Sequence, residues 1–184
     1  MLSSWNSFYV MMGSSAAALT GLVFIVITLI RDQNRGQTDS GIPAFTTPTV
    51  VHFSCALLTS AVMSAPFPSL APIAIILGLA GTGGLFYTIL IARLHATSRN
   101  YRPDAEDWIW YIGLPFVAYA TLLASAIAMH AFASGALYAT AAAVAFLIFI
   151  GIHNAWDVVT FIATGKAEAL PDRPKIESAP EKSD

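Results

Sequence analysis

About five long apolar stretches, separated by short polar or helix-breaking segments, organise the chain. The first runs from about Phe8 to Ile30 without a charge and is closed by Arg31, Asp32 and Arg35. At a rise of about 1.5 Å per residue, its length matches a hydrocarbon core of roughly 30 Å. The second, 48–65, opens on Thr47-Pro48, which reads as an N-cap followed by proline at the first helical position. It is the shortest stretch, and Pro66-Phe67-Pro68-Ser69 ends it. The third, 70–92, ends at Arg93. The fourth, 104–133, carries Asp104, Glu106 and Asp107 in its first turn, where carboxylates favour the helix dipole. Pro115 is placed to kink it. Ser134-Gly135 reads as a tight turn, and the fifth stretch, 136–164, stops at Gly165-Lys166. The pattern predicts an all-α, multi-pass transmembrane bundle over 1–165. The charged, Pro-containing segment 166–184 is expected to be a disordered cytoplasmic tail.

Charge turns this pattern into an orientation. The nine Lys and Arg fall at 31–35, at 93–102 and in the tail. Five crossings place all three regions on one side, and positive charge collects on the cytoplasmic side. The N-terminus is therefore expected outside and the C-terminus inside. A re-entrant hairpin made of the second and third stretches gives the same charge pattern. Crossing is preferred because the third stretch is long enough to span. The first stretch has no Lys or Arg before it, and its small-residue run precedes its apolar core. Such an order is the reverse of a signal-peptide cleavage site, so the first helix is expected to remain.

Composition agrees and excludes alternatives. Of 184 residues, 56% are hydrophobic and 11% charged. A soluble domain has about 25% charged residues, so this chain cannot coat a water-facing surface. The bilayer is the expected partner. A net charge of −2 supplies no basic field for nucleic acid. Cys55 is the only cysteine, which excludes an intrachain disulfide and a multi-cysteine metal site.

Small residues mark expected helix contacts. Gly13, Ala17 and Gly21 recur at four-residue spacing, and Gly81 and Gly84 lie in the third stretch with Gly78 and Gly83. Such stripes let backbones approach closely, either within one bundle or between subunits of a homo-oligomer.

Polar residues inside the apolar stretches are the candidate chemistry. His153, Asn154, Asp157 and Thr160 lie in the fifth stretch, with His153, Asp157 and Thr160 on one helical face. With the apolar part of the fourth stretch beginning at Trp108, Asp157 is the only carboxylate inside an apolar span, and an intramembrane acid is a functional-site hypothesis by default. A His–Asp pair can relay protons or bind a cation. The alternative is a structural clasp, with Asp157 bonded to His153 and Asn154 reaching a neighbouring backbone. His52 lies near the inner end of the second stretch, about 6 Å from its start. It shares a face with Cys55 and Thr59, and an approach to Asp157 is allowed. His52, His153 and Asp157 could hold a metal, and two histidines on different helices permit haem. A second layer, Met11, Met12, Met63, Met129 and His130, falls near the outer boundary. Thioethers and imidazole suit Cu(I), although methionine is also an ordinary core filler. His95 reads as a solvated loop residue. No cofactor is otherwise indicated. Gly81-Thr82-Gly83-Gly84 lacks the following lysine of a phosphate loop, and no nucleophile elbow or metalloprotease helix motif occurs.

The runs Gly151 to Asp157, Thr47 to His52 and Glu106 to Trp110 resemble small bacterial inner-membrane proteins containing GIHNAWD. The resemblance covers the five stretches and not the tail. It implies a bacterial inner-membrane setting and brings no activity or catalytic residue. Three readings follow from the sequence: a non-enzymatic structural or interaction protein, an oligomeric proton or cation channel or transporter subunit, and a metal- or haem-binding membrane protein.

Overall fold

The structure, a computed structural model, describes residues 2–33, 42–97 and 105–163. Among these there are helices and turns only. A short 3₁₀ turn, Leu2–Trp5, leads into α1 (Asn6–Gln33). Then follow α2 (Ile42–Ser64), α3 (Leu70–Thr97), α4 (Ala105–Trp108), α5 (Leu114–Ala128) and α6 (Ala133–Ala163). One π-helical turn, Ile109–Gly113, joins α4 to α5 into a single span. The five resulting helices are all long and apolar enough to cross a membrane, as the sequence predicts. Arg35, Arg99, Arg102, Asp104, Gly165 and the expected tail 166–184 lie outside the described residues.

Helix boundaries depart from expectation in three instructive places. The second helix begins at Ile42 and carries Pro48 inside it, so Thr47 is not its N-cap. Proline forfeits one main-chain bond, and a helix held on both sides by neighbours absorbs that loss. The fourth span is not one α-helix over 104–133. The π turn forms immediately before Pro115, with the Leu114 N–H bonded to the Ile109 carbonyl. Pro115 has no N–H for Tyr111, and the wider turn takes up the mismatch. The break between the last two spans falls at 129–132, before Ser134-Gly135. There Phe132 N–H bonds Ala128 O at 2.8 Å, and Ala136 N–H bonds Phe132 O at 2.9 Å. Both Ser134 and Gly135 therefore belong to α6. The third helix also runs on to Thr97, beyond the expected 92.

Successive spans alternate in direction. At one end, Trp5 packs edge-on against Tyr138 with ring centroids 4.8 Å apart, and the Tyr9 hydroxyl lies 3.5 Å from the Leu137 carbonyl. At the other end, the C-terminal half of α6 meets α4 through His153 and Trp110, and His95 of α3 faces Tyr111. The helix ends leading to 31–35, to 93–102 and to 166 are thus gathered at one end of the bundle.

The packing order differs from the chain order. α1 lies on α2, α2 on α6, α6 on α5, and α5 on α3. α2 and α3 are consecutive yet touch little. α6 and α2 form the interior, with 56% and 50% of their spans buried against 17% for α1. The core centres on Phe53, Ile73, Leu77, Tyr119, Leu122, Leu137 and Leu147.

Three glycines bring backbones together. A Cβ at Gly81 would sit 2.8 Å from the Leu123 main-chain nitrogen, one at Gly84 would overlap the Tyr119 ring, and one at Gly151 would overlap the Phe53 ring. Gly13 is a milder case, with Ser60 Cβ at 3.1 Å. The rest of the α1 stripe departs from expectation: Ala17 and Gly21 face outward, and Gly21 has open space beside it. With α1 at the rim, only one edge of it meets α2.

Candidate functional site

The chemistry-bearing side chains fall into two groups. The first lies at mid-depth between α2, α3 and α5. α2 starts at Ile42, ten residues before His52, while the apolar span within it begins at Thr47, five residues before His52. Its ring is buried, and Nδ1 shares a 2.8 Å hydrogen bond with the Tyr119 hydroxyl. Tyr119 is fully buried, and its ring rests on Gly84, near the middle of α3. One tyrosine thus joins three helices: a ring in a glycine notch on α3, a backbone on α5 and a bond to α2. Cys55, three residues beyond His52, and Tyr87, three beyond Gly84, flank the same phenol. His52 Nε2 and the Tyr87 hydroxyl are buried without a hydrogen-bond partner among the described residues.

The second group lies toward the other end, on α6 and the π turn. His153 stacks on Trp110 with ring centroids 3.5 Å apart and planes 3° from parallel. Trp110 also meets Phe149, one turn earlier on α6. His153 Nε2 lies 3.9 Å from Glu106 Oε1. Glu106 is 71% exposed, so this pair contributes little. The anticipated His153–Asp157 bond is not part of the group. Asp157 is exposed, and its main-chain carbonyl accepts a 3.0 Å bond from Thr160 Oγ1. The shared helical face is real, but Trp110 covers the imidazole and leaves the carboxylate outside. Asn154 is fully buried, and neither side-chain amide atom has a partner among the described residues.

His52 and Asp157 are not brought together either, since one is buried against Tyr119 and the other faces outward. His52 and His153 have different ring partners, Tyr119 and Trp110 respectively. Among the described residues, no cluster of three or more His, Cys, Asp or Glu is placed to hold a metal ion. The methionine layer splits as well. Met63 and Met129 are core residues, Met12 packs against the core, and Met11 and His130 are exposed. His95 is partly buried, and its Nδ1–H donates to the Ile91 carbonyl at 3.1 Å.

Sequence reasoning missed Tyr119, Trp110, Gly151 and Glu106. Tyr119 had a legible signal: a phenol in the middle of an apolar span needs a hydrogen-bond partner when buried. Trp110 had none, because a tryptophan near a span end reads equally well as an interfacial anchor.

Ser125 and Thr140 add a smaller polar joint between α5 and α6, with hydroxyl oxygens 3.0 Å apart. The His52–Tyr119 and Ser125–Thr140 joints are short side-chain contacts between helices, a pattern suited to holding helices together. No protein-family model, no curated protein and no solved structure matches the chain.

Proposed function

We propose that this is a multi-pass protein of the bacterial inner membrane with a structural or interaction role, its polar interior acting as a set of helix clasps. The N-terminus faces outward and the C-terminus faces the cytoplasm, a reading supported by the helix ends gathered at one end of the bundle, since in the sequence every Lys and Arg lies at or beyond them. The bacterial setting rests on the GIHNAWD resemblance. A single observation carries the clasp reading: the Tyr119 hydroxyl meets His52 while its ring fills the Gly84 notch, so a phenol spans three helices. In such a role Tyr119→Phe and His52→Ala each lower resistance to unfolding in mixed micelles, by about 0.5–1.5 kcal/mol, and their effects are strongly non-additive. Proteoliposome ion and proton flux is the same for both variants as for empty vesicles.

A second reading, a proton or cation channel or transporter subunit, is favoured by the unpartnered His52 Nε2 and Asn154 amide inside the bundle. It has lost the His153–Asp157 pair as its geometric basis. Flux above empty vesicles that disappears in His52→Ala or Asp157→Asn, with folding intact, would replace the clasp reading with this one.

A further inference from the structure

Two fully buried polar side chains, on α2 and α6, share one junction of the bundle. His52 is 1% exposed and Asn154 0% exposed. Three of their atoms, His52 Nε2 and both polar atoms of the Asn154 amide, have no hydrogen-bond partner among the described residues. Inside a span every such atom costs free energy until it is satisfied, because lipid offers it no partner. Their relative placement follows from three contacts. Phe53 of α2 presses on Gly151 of α6, and these two helices run in opposite directions. Counted from that contact, His52 is one residue and Asn154 three residues toward the same end, a difference of roughly 3 Å along the axis by helical rise. Around α6, Asn154 projects about 60° from Gly151, which meets α2, and about 40° from Thr140, which meets Ser125 of α5. Its amide is therefore turned to the junction of α2, α5 and α6. His52 is turned to the same junction, since its Nδ1 is bonded to Tyr119 of α5.

The chemistry of the three atoms selects what joins them. An amide offers N–H donors and a carbonyl acceptor, and an imidazole Nε2 donates or accepts with its tautomer. A bridging group must therefore both donate and accept. A hard cation takes several oxygen ligands, and carboxylates supply most of them. Asp157, the carboxylate of α6, is exposed, and no three metal-ligating side chains cluster among the described residues. Water meets the requirement, because a buried water typically makes about three hydrogen bonds to otherwise unsatisfied groups.

We propose that the junction of α2, α5 and α6 is a binding site for an internal water, which bridges the Asn154 amide to His52 Nε2 and so ties α6 to the His52–Tyr119 pair. The proposal deepens the clasp reading, whose own test is the unfolding of Tyr119→Phe and His52→Ala. The full chain is labelled with ¹⁵N-asparagine and ¹³C-histidine and studied by NMR in deuterated detergent micelles. Rotating-frame cross-peaks to water are recorded, since their sign separates dipolar contact from proton exchange. In the wild type, the Asn154 side-chain amide and the carbon-bound Hδ2 proton beside His52 Nε2 are both expected to show a dipolar cross-peak to water. The His52 cross-peak is lost in Asn154→Leu, and the Asn154 cross-peak is weakened in His52→Phe. Both persist in Tyr119→Phe, which breaks the clasp but keeps the water's partners, so failure of the clasp and failure of the bridge are read apart. The two wild-type signals stand without any variant, should a substitution prevent folding. Absence of either wild-type cross-peak overturns the proposal. So does an Asn154 amide in dipolar contact with protein protons alone, which assigns it a direct partner elsewhere in the chain. A His52 cross-peak unchanged in Asn154→Leu also overturns it, because the two groups then do not share a water.

Discussion

Two small-residue stretches with similar sequence signatures behave in opposite ways. In α3, Gly81 and Gly84 lie under Leu123 and Tyr119, and neither position has room for a methyl group. In α1, Gly13 meets Ser60 at one end of the stripe, while Ala17 and Gly21 face outward. The difference lies in the partner. α5 offers a rigid ring and a backbone at the level of the α3 glycines, and a close approach needs both sides. A small residue permits contact without creating it. Position in the bundle also matters, because α3 turns its glycine edge toward α5, whereas α1 is a rim helix that meets α2 along one edge.

Substitution can break this contrast or sharpen it. The largest effect is expected at Gly84→Ala, where the new methyl overlaps a buried ring that cannot swing away; a loss of about 3 kcal/mol or more would appear as missing folded protein in micelle unfolding curves. Gly81→Ala presses on the Leu123 backbone and should cost about 2 kcal/mol, with α5 displaced slightly along its length. Unchanged curves for both would mean that α3 and α5 do not approach as closely as described. At the other extreme, Gly21→Ala enters open space and should change stability by no more than about 0.5 kcal/mol. A large loss there, or a change in particle mass by light scattering, would show that the α1 stripe is itself an interface between chains.

The architecture was readable because spans announce themselves by length and lack of charge, and all five did so. Lateral order was not readable. Nothing in the sequence says that α3 leans on α5 rather than on α2, its chain neighbour, because lipid-facing and helix-facing apolar residues have the same composition. The candidate site followed the same division. His52 and Asn154 stood out as polar groups in apolar spans, and both are buried. Asp157 stood out more strongly but faces outward near the end of α6, since helical spacing fixes a shared face and not which face points inward. The start of α2 was misplaced because Pro48 reads as a beginning, whereas the helix passes through it, although the apolar span does begin at Thr47.

The π turn ahead of Pro115 has a consequence for how this span tolerates change. An extra residue in one turn gives the helix two phases, offset by roughly 100° across the turn. Trp110 keeps time with the lower phase and meets His153; Tyr119 keeps time with the upper one and meets His52. Deleting one residue between 109 and 113 would make a more regular helix and a worse protein, because a single phase cannot serve both partners. The irregular turn works as a phase adjuster between two contacts that a uniform helix would force out of step.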